Sequence, residues 1–125
     1  MPTIKIEDLL ERHEGKTLEF KRDASSPKPI ARTLCAFCNT AGGRLVLGID
    51  DGTRAVFGLD DPLAVEERIA SIASDTVHPQ ITPEIEITTW RDKSVVVVTV
   101  RPGPSRPYYL RSLGLEAGTY VRVGS

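Results

Sequence analysis

Residues 39–52 read NTAGGRLVLGIDDG, and this stretch decides how the rest of the chain is organised. The asparagine and the glycine pair are typical of a helix that ends in a left-handed turn. The apolar run over 44–50 predicts a buried strand, which two aspartates and a glycine close. Because a rigid strand holds the side chains at its end firmly, we expect any functional centre to lie around Asp50 and Asp51.

The length and composition of the chain are those of one domain, and its charges are unevenly distributed along the sequence. The chain has 125 residues, 40% of them hydrophobic, and a formal net charge of −1, which is ordinary for a single globular domain. Residues 24–48 carry three basic and no acidic side chains, and residues 91–125 carry six basic and two acidic ones. A nearly neutral domain with such a basic face can bind phosphate backbones.

Several classes of protein are excluded by the sequence. No segment is long and apolar enough to span a membrane, and the N-terminus lacks the apolar core of a signal peptide. We therefore predict a cytoplasmic protein with no membrane partner. Cys35 and Cys38 have C-x-x-C spacing, but a structural zinc needs four ligands and only His13 and His78 remain. We interpret both cysteines as buried thiols of a helix.

Hydrophobic periodicity predicts three helices: one over 6–13, one that starts in the loop 25–29 and ends near Asn39, and one from Asp61 to about Pro79. It predicts strands over 17–21, 44–50, 84–90, 94–101, 106–110 and 119–123, with a short return at 56–58. The continuous apolar run at 95–98 is typical of a central strand that is covered on both faces. The order indicates an α+β fold: a single domain with a mixed, largely antiparallel sheet of about six strands and three helices.

Four pieces occur in a fixed order: LEFK at 18–21, AFCNTAGG at 36–43, LGIDDG at 47–52, and RPYYL at 106–110 leading to GTYVRVGS at 118–125. Together they closely resemble the Schlafen AlbA_2 domain, also described as a divergent AAA-type or DNA-binding domain of bacterial transcriptional regulators. The resemblance covers nearly the whole chain, so residues 1–125 are interpreted as one Schlafen AlbA_2-like domain. It implies an excised N-terminal domain of a longer bacterial protein.

The resemblance also implies a site of three carboxylates. In animal Schlafens the related domain binds RNA, and some members cleave tRNA and rRNA with three acidic residues, which correspond here to Glu14, Glu19 and Asp51. Such a set can hold Mg²⁺ or Mn²⁺ and activate a water. In the alternative interpretation the two glutamates are solvated or pair with Lys21 and Arg22, and Asp51 only forms a turn. The animal enzymes use two such lobes, and a homodimer is one way to supply the second.

Basic side chains flank the proposed centre or come from the late strands. Lysine and arginine dominate affinity for nucleic acid, and a tyrosine ring can stack on an unpaired base. The nucleic-acid-binding candidates are Lys21, Arg22, Lys28, Arg32, Arg44, Arg106, Tyr108, Arg111 and Arg122.

The glycine pair is not a phosphate loop, because it lies between a helix and a strand and no Gly-Lys-Ser/Thr follows.

We therefore predict a nucleic-acid-binding domain of a bacterial transcriptional regulator, with DNA and RNA both open as partners. A metal-dependent endoribonuclease that uses the three carboxylates with Mg²⁺ or Mn²⁺ is the first alternative. A protein-interaction or dimerisation domain, with its surface around residues 108–110, is the second. The endoribonuclease requires a metal and Glu19, the binding domain requires neither, and the interaction domain binds no nucleic acid at low salt.

Overall fold

The structure, a computed structural model, describes residues 5–123 of the chain. Residues 1–4 and 124–125, which the sequence assigns to the same domain, lie outside the described residues. The elements are α1 (Ile6–Leu10), β1 (Leu18–Lys21), α2 (Pro27–Asn39), β2 (Gly43–Leu47), α3 (Pro62–Thr76), β3 (Val77–His78), β4 (Glu84–Trp90), β5 (Lys93–Val100), β6 (Tyr109–Leu110) and α4 (Gly114–Gly118). No helix among the described residues has the length and apolarity needed to cross a membrane.

Six strands form two sheets, and the predicted α+β fold is confirmed. The main sheet has the order β1-β2-β5-β4, and β3 pairs with β6 in a small second sheet. Strands β1 and β2 are parallel, whereas the β2–β5 and β4–β5 pairs are antiparallel. Strand β5 is central, and its residues 95–98 are fully buried, as the apolar run predicted. The helices number four in the described part of the chain, because the short α4 was not predicted.

The core occupies both faces of the main sheet. One cluster lies between the sheet and helices α2 and α3 and includes Leu34, Phe37 and Ile69. The other lies under α1 and includes Leu18 and Phe20 of β1. The side chains of β1 alternate between buried and half-buried, as the period-two pattern predicted. The side chains of Glu19 and Lys21 therefore lie on the α2 side of β1, where they remain accessible to a ligand.

The glycine pair that follows α2 has the structural role expected from the sequence. Gly42 adopts a left-handed conformation with φ of 76°, and its N–H donates to the carbonyl of Phe37 at 2.9 Å. A Cβ atom on Gly43 would lie 2.5 Å from the ring of Phe37. The helix can therefore turn sharply into β2 and pack closely against it, since neither position carries a side chain.

Several predicted boundaries differ from the structure: α1 ends at Leu10 and not at residue 13, and β6 is limited to Tyr109–Leu110. Strand β2 ends at Leu47 because Gly48, with φ of 108°, takes the chain out of the strand conformation. Asp50 and Asp51 consequently lie in the turn that follows, and the expected strand at 56–58 is reduced to one bridge between Ile49 and Val56.

The prediction of a strand over 119–123 is wrong. These residues form no strand, and helix α4 precedes them. Side chains hold this segment in place of a backbone ladder: Asn39 donates to the carbonyl of Tyr120 at 2.8 Å, and Arg122 of the segment pairs with Glu19 at 2.8 Å. The alternating residues of 119–123, which favoured a strand, therefore make contacts with α2 and β1 in the fold.

Candidate nucleic-acid interface

The carboxyl ends of β1 and β2 meet at one edge of the sheet, where α2 also begins. The N–H groups of Gly48 and Ile49 donate to the carbonyl of Lys21 at 2.8 and 3.3 Å, which joins the two strand ends. The crevice beyond the carboxyl ends of parallel strands is a frequent ligand site in α/β sheets. A depression of about 220 Å³ lies there, and its lining residues are Lys21, Arg22, Asp23, Ser26, Pro29 and Asp51.

A second depression, of about 360 Å³, continues along α2 from the first. Lys21 and Pro29 line both depressions, so the two adjoin. The lining residues of the second are Glu19, Lys21, Pro29, Arg32, Thr33, Ala36, Tyr120 and Val121. We call the two depressions together the α2 groove. The groove is bounded by the edge strand β1, by α2 and by the C-terminal segment.

Helix α2 presents only positive charge beside this groove. Lys28 and Arg32 are exposed and lie four residues apart, so they share one face of the helix. The helix contains no acidic residue. Within residues 5–123, neither side chain forms an ion pair with a carboxylate. Both cations are therefore available to an anionic ligand.

Glu19 is already neutralised by two cations. Its Oε1 accepts a hydrogen bond from Arg122 at 2.8 Å, and its Oε2 lies 3.2 Å from Nζ of Lys21. Arg122 also donates to the carbonyls of Gly15 and Leu18. Arg122 thus ties the C-terminal segment to β1, and the phosphate-binding role that the sequence suggested for it is not supported.

The other acidic residues differ in their surroundings. Oε2 of Glu14 accepts a hydrogen bond from the N–H of Phe20 at 2.9 Å. Oδ2 of Asp50 accepts hydrogen bonds from the N–H and hydroxyl of Thr53 and from the N–H of Gly52, and these bonds lower the pKa of Asp50. Asp50 therefore folds the turn, whereas Asp51 is exposed and lines the groove.

The three carboxylates implied by the resemblance do not fit a divalent metal in this arrangement. Among residues 5–123, no group of three or more histidine, cysteine, aspartate or glutamate side chains is placed to hold a metal ion. Each carboxylate oxygen of Glu19 already faces a cation, Arg122 or Lys21, and this positive charge opposes the approach of a metal ion. A metal-bound water is therefore not part of the chemistry that we derive for this chain.

The remaining predicted binding residues do not converge on the groove. Arg44 lies at the opposite end of β2 and lines a separate depression with Arg12. Arg106 and Arg111 are exposed on either side of β6. Tyr108 is only 3% exposed, and its hydroxyl accepts a hydrogen bond from the N–H of Ser105. A ring that is buried in the core cannot stack on a base, so the role expected of Tyr108 is not supported.

One exposed aromatic residue was not among the predicted site residues. Phe57 is 46% exposed, and the guanidinium carbon of Arg22 lies 3.8 Å from the centre of its ring. Arg22 is at the end of β1 and lines the groove. In the sequence, Phe57 lies between the turn after β2 and Gly58, which adopts φ of 77°. This position could have indicated an exposed loop residue, but residues 56–58 were interpreted as a short strand.

The two cysteines contribute to the core and not to the groove. Both are free and buried in α2. Burial raises the pKa of Cys38 to about 11, with a smaller contribution from the neighbouring Cys35. The interpretation of both residues as buried thiols is confirmed.

Comparison with known proteins gives the family of the chain and agrees with its fold. A protein-family match to Schlafen, AlbA_2 spans residues 14–125. The N-terminal domain of a RecG-related protein from Nitrosomonas europaea is similar in structure, with 29% identity and a TM-score of 0.74, over 96% of this chain and 86% of that one. The DIP2311 protein from Corynebacterium diphtheriae shares the fold at 17% identity and a TM-score of 0.58, over 86% of this chain and 23% of that one. No curated protein matches the sequence. The chain belongs to the Schlafen AlbA_2 family.

Proposed function

We propose that this domain binds nucleic acid through the α2 groove, mainly by contacts to phosphates. The observation that carries the proposal is the pair of exposed cations on α2, Lys28 and Arg32, which have no carboxylate partner in the described part of the chain. Arg32 lines the groove, and Lys28 lies one helical turn before it on the same face of α2. Lysine and arginine contacts to phosphates supply most of the affinity of proteins for nucleic acid, largely without reading sequence.

The charges around the groove favour an anionic ligand. The basic side chains that line the groove are Lys21, Arg22 and Arg32, with Lys28 on the same face of α2 as Arg32, and the acidic ones are Glu19, Asp23 and Asp51. Arg122 approaches Glu19 from the C-terminal segment and neutralises it, which leaves Lys21 less committed to that carboxylate. The excess of positive charge is small, so we expect modest affinity, and this affinity should fall as the salt concentration rises because each phosphate contact releases counterions.

The relatives support a role with nucleic acid. The similar domain from Nitrosomonas europaea belongs to a protein described as related to the DNA helicase RecG. The family resemblance further supports a place within a bacterial transcriptional regulator. Endoribonuclease activity is not proposed, because the ion pairs of Glu19 oppose the metal site that the reaction requires.

Fluorescence anisotropy with labelled tRNA, single-stranded DNA and duplex DNA, at low salt and with EDTA, tests the proposal. The double variant Lys28→Ala/Arg32→Ala should bind more weakly, by up to about tenfold for each lost phosphate contact at about 50 mM salt. The control is Lys16→Ala/Arg44→Ala, which removes the same charge at the opposite end of the sheet and should bind like the wild type. Equal weakening in both variants would refute the assignment of the groove.

The same nucleic acids should remain intact when they are incubated with the protein and Mn²⁺. Cleavage that depends on Mn²⁺ and is lost in Glu19→Gln would replace the binding proposal with the endoribonuclease. Absence of binding to all three nucleic acids at low salt would contradict both and favour an interaction domain.

A further inference from the structure

We infer that Phe57 and Arg22 form a stacking platform for an unpaired base, so that the α2 groove takes single-stranded nucleic acid in preference to duplex. This inference rests on the proposed function and adds a ligand class to it. It starts from an aromatic ring that lies in neither core cluster, is 46% exposed and contacts Arg22, a residue that lines the groove.

The backbone holds Phe57 rigidly in this position. Its N–H donates to the carbonyl of Gly48 at 2.9 Å, and the N–H of Gly58 donates to the same carbonyl at 3.0 Å. The next residue, Leu59, donates its N–H to the carbonyl of Ser94 at 2.8 Å. The segment is thereby fixed to the ends of β2 and β5. Because the main chain that carries the ring is already fixed, no backbone freedom of this segment has to be lost when a ligand stacks on the ring.

Arg22 connects the ring to the phosphate-binding part of the groove. Its guanidinium carbon lies 3.8 Å from the centre of the Phe57 ring, within the range of a cation–π contact. The same side chain lines the groove beside Lys21. A guanidinium that lies against a ring can still donate hydrogen bonds to phosphate oxygens. A single nucleotide can therefore place its base at Phe57 and its phosphate at Arg22 and Lys21.

This arrangement discriminates between single strands and duplexes for a physical reason. Bases in a duplex are stacked on their neighbours, so their faces are not available to an aromatic side chain. An unpaired base exposes its face, and stacking on aromatic side chains is a general way of binding single strands. Phe57 is the only aromatic residue among the large hydrophobic side chains that are exposed within residues 5–123. Its contact with a cation favours a nucleic acid over an apolar protein partner.

Abasic oligonucleotides separate stacking from phosphate binding. A single strand of thymidines and an abasic strand of the same length have the same phosphates, so their affinities differ only through the bases. Wild type should bind the thymidine strand about 5- to 150-fold more tightly, from the known range for stacking of one base. In Phe57→Ala this ratio should fall towards one, whereas Phe57→Trp should preserve it. Affinity for duplex DNA should be unchanged by either substitution.

The control variant is Leu113→Ala, which removes a side chain of similar exposure, 49%, from the turn before α4. It should keep the ratio of the wild type. A ratio that Phe57→Ala leaves unchanged would overturn the platform, and so would loss of duplex binding in that variant. If wild type binds both strands equally and with strong salt dependence, the platform fails but the proposed function stands. If it binds neither strand at low salt, both fail.

Discussion

Replacement of Asn39 by alanine would show how strongly the C-terminal part of the chain is fastened to α2. Asn39 is the last residue of α2 and is half-buried. Its Nδ2 donates to the carbonyls of Tyr108 and Tyr120, both at 2.8 Å, and its Oδ1 accepts from the N–H of Tyr108 at 2.6 Å. One side chain therefore satisfies three main-chain groups of two segments. We expect Asn39→Ala to lower the free energy of unfolding substantially.

The size of the effect follows from the three hydrogen bonds. Each contributes about 1 kcal/mol net, and partial access of water to the released groups reduces the sum, so the expected loss is about 2–3 kcal/mol. This is a large share of the roughly 5–15 kcal/mol that stabilises a typical domain. For a domain of this size the melting temperature should fall by about 6–15 °C.

Urea unfolding, followed by the fluorescence of Trp90 and by circular dichroism, measures this loss. Asn39→Asp keeps the acceptor but places a carboxylate against two carbonyls, so it should be at least as destabilising at neutral pH. Thr40→Ala is the control, because it removes one hydroxyl hydrogen bond, to the carbonyl of Ala36 at 2.7 Å. A loss for Asn39→Ala below about 1 kcal/mol, or no larger than that of Thr40→Ala, would refute the reasoning.

Three further predictions concern other parts of the fold. Gly103→Ala should destabilise the domain by at least about 1 kcal/mol in a urea titration, because its Cβ would lie 2.2 Å from the ring of Tyr108. The thiol of Cys38, whose pKa burial raises to about 11, should react slowly with a disulfide reagent in the folded protein and rapidly in urea. The pKa of Asp50 is lowered by its hydrogen bonds to Thr53, so its stabilising effect is present above the unfolded pKa of about 3.8 and is lost as the pH falls through the lower folded value. Asp50→Asn should therefore be less stable than the wild type at about pH 5, and the difference should narrow at about pH 3.

The parts of the fold that local patterns specify could be predicted from the sequence. Helix α3 begins at Pro62 because Asp61 caps it, with its carboxylate accepting from the N–H of Ala64 at 3.1 Å. The hairpin of β4 and β5 follows from the alternation of apolar and polar residues over 84–90 and from the continuous apolar run at 95–98. The early end of β2 was not predicted, because only the conformation of Gly48 reveals that the chain leaves the sheet there.

The candidate site was predictable only where its residues are close in sequence. Lys28 and Arg32 share a helix face by their spacing alone, so their proximity needed no tertiary information. Residue type does not show that Tyr108 is buried, or that Arg122 pairs with Glu19, a residue about a hundred positions away. The role proposed for Phe57 was not predicted because it depends on Arg22, which only the folded sheet brings beside it.

The salt dependence of binding tests the central claim most directly. The affinity of the wild type for a labelled single strand should fall linearly on a plot of log affinity against log salt concentration, and each phosphate contact should contribute about 0.7 to the slope. If Lys28 and Arg32 each hold a phosphate, the slope for Lys28→Ala/Arg32→Ala should be smaller by about 1.4. Equal slopes for the variant and the wild type, or no binding at low salt, would contradict the account.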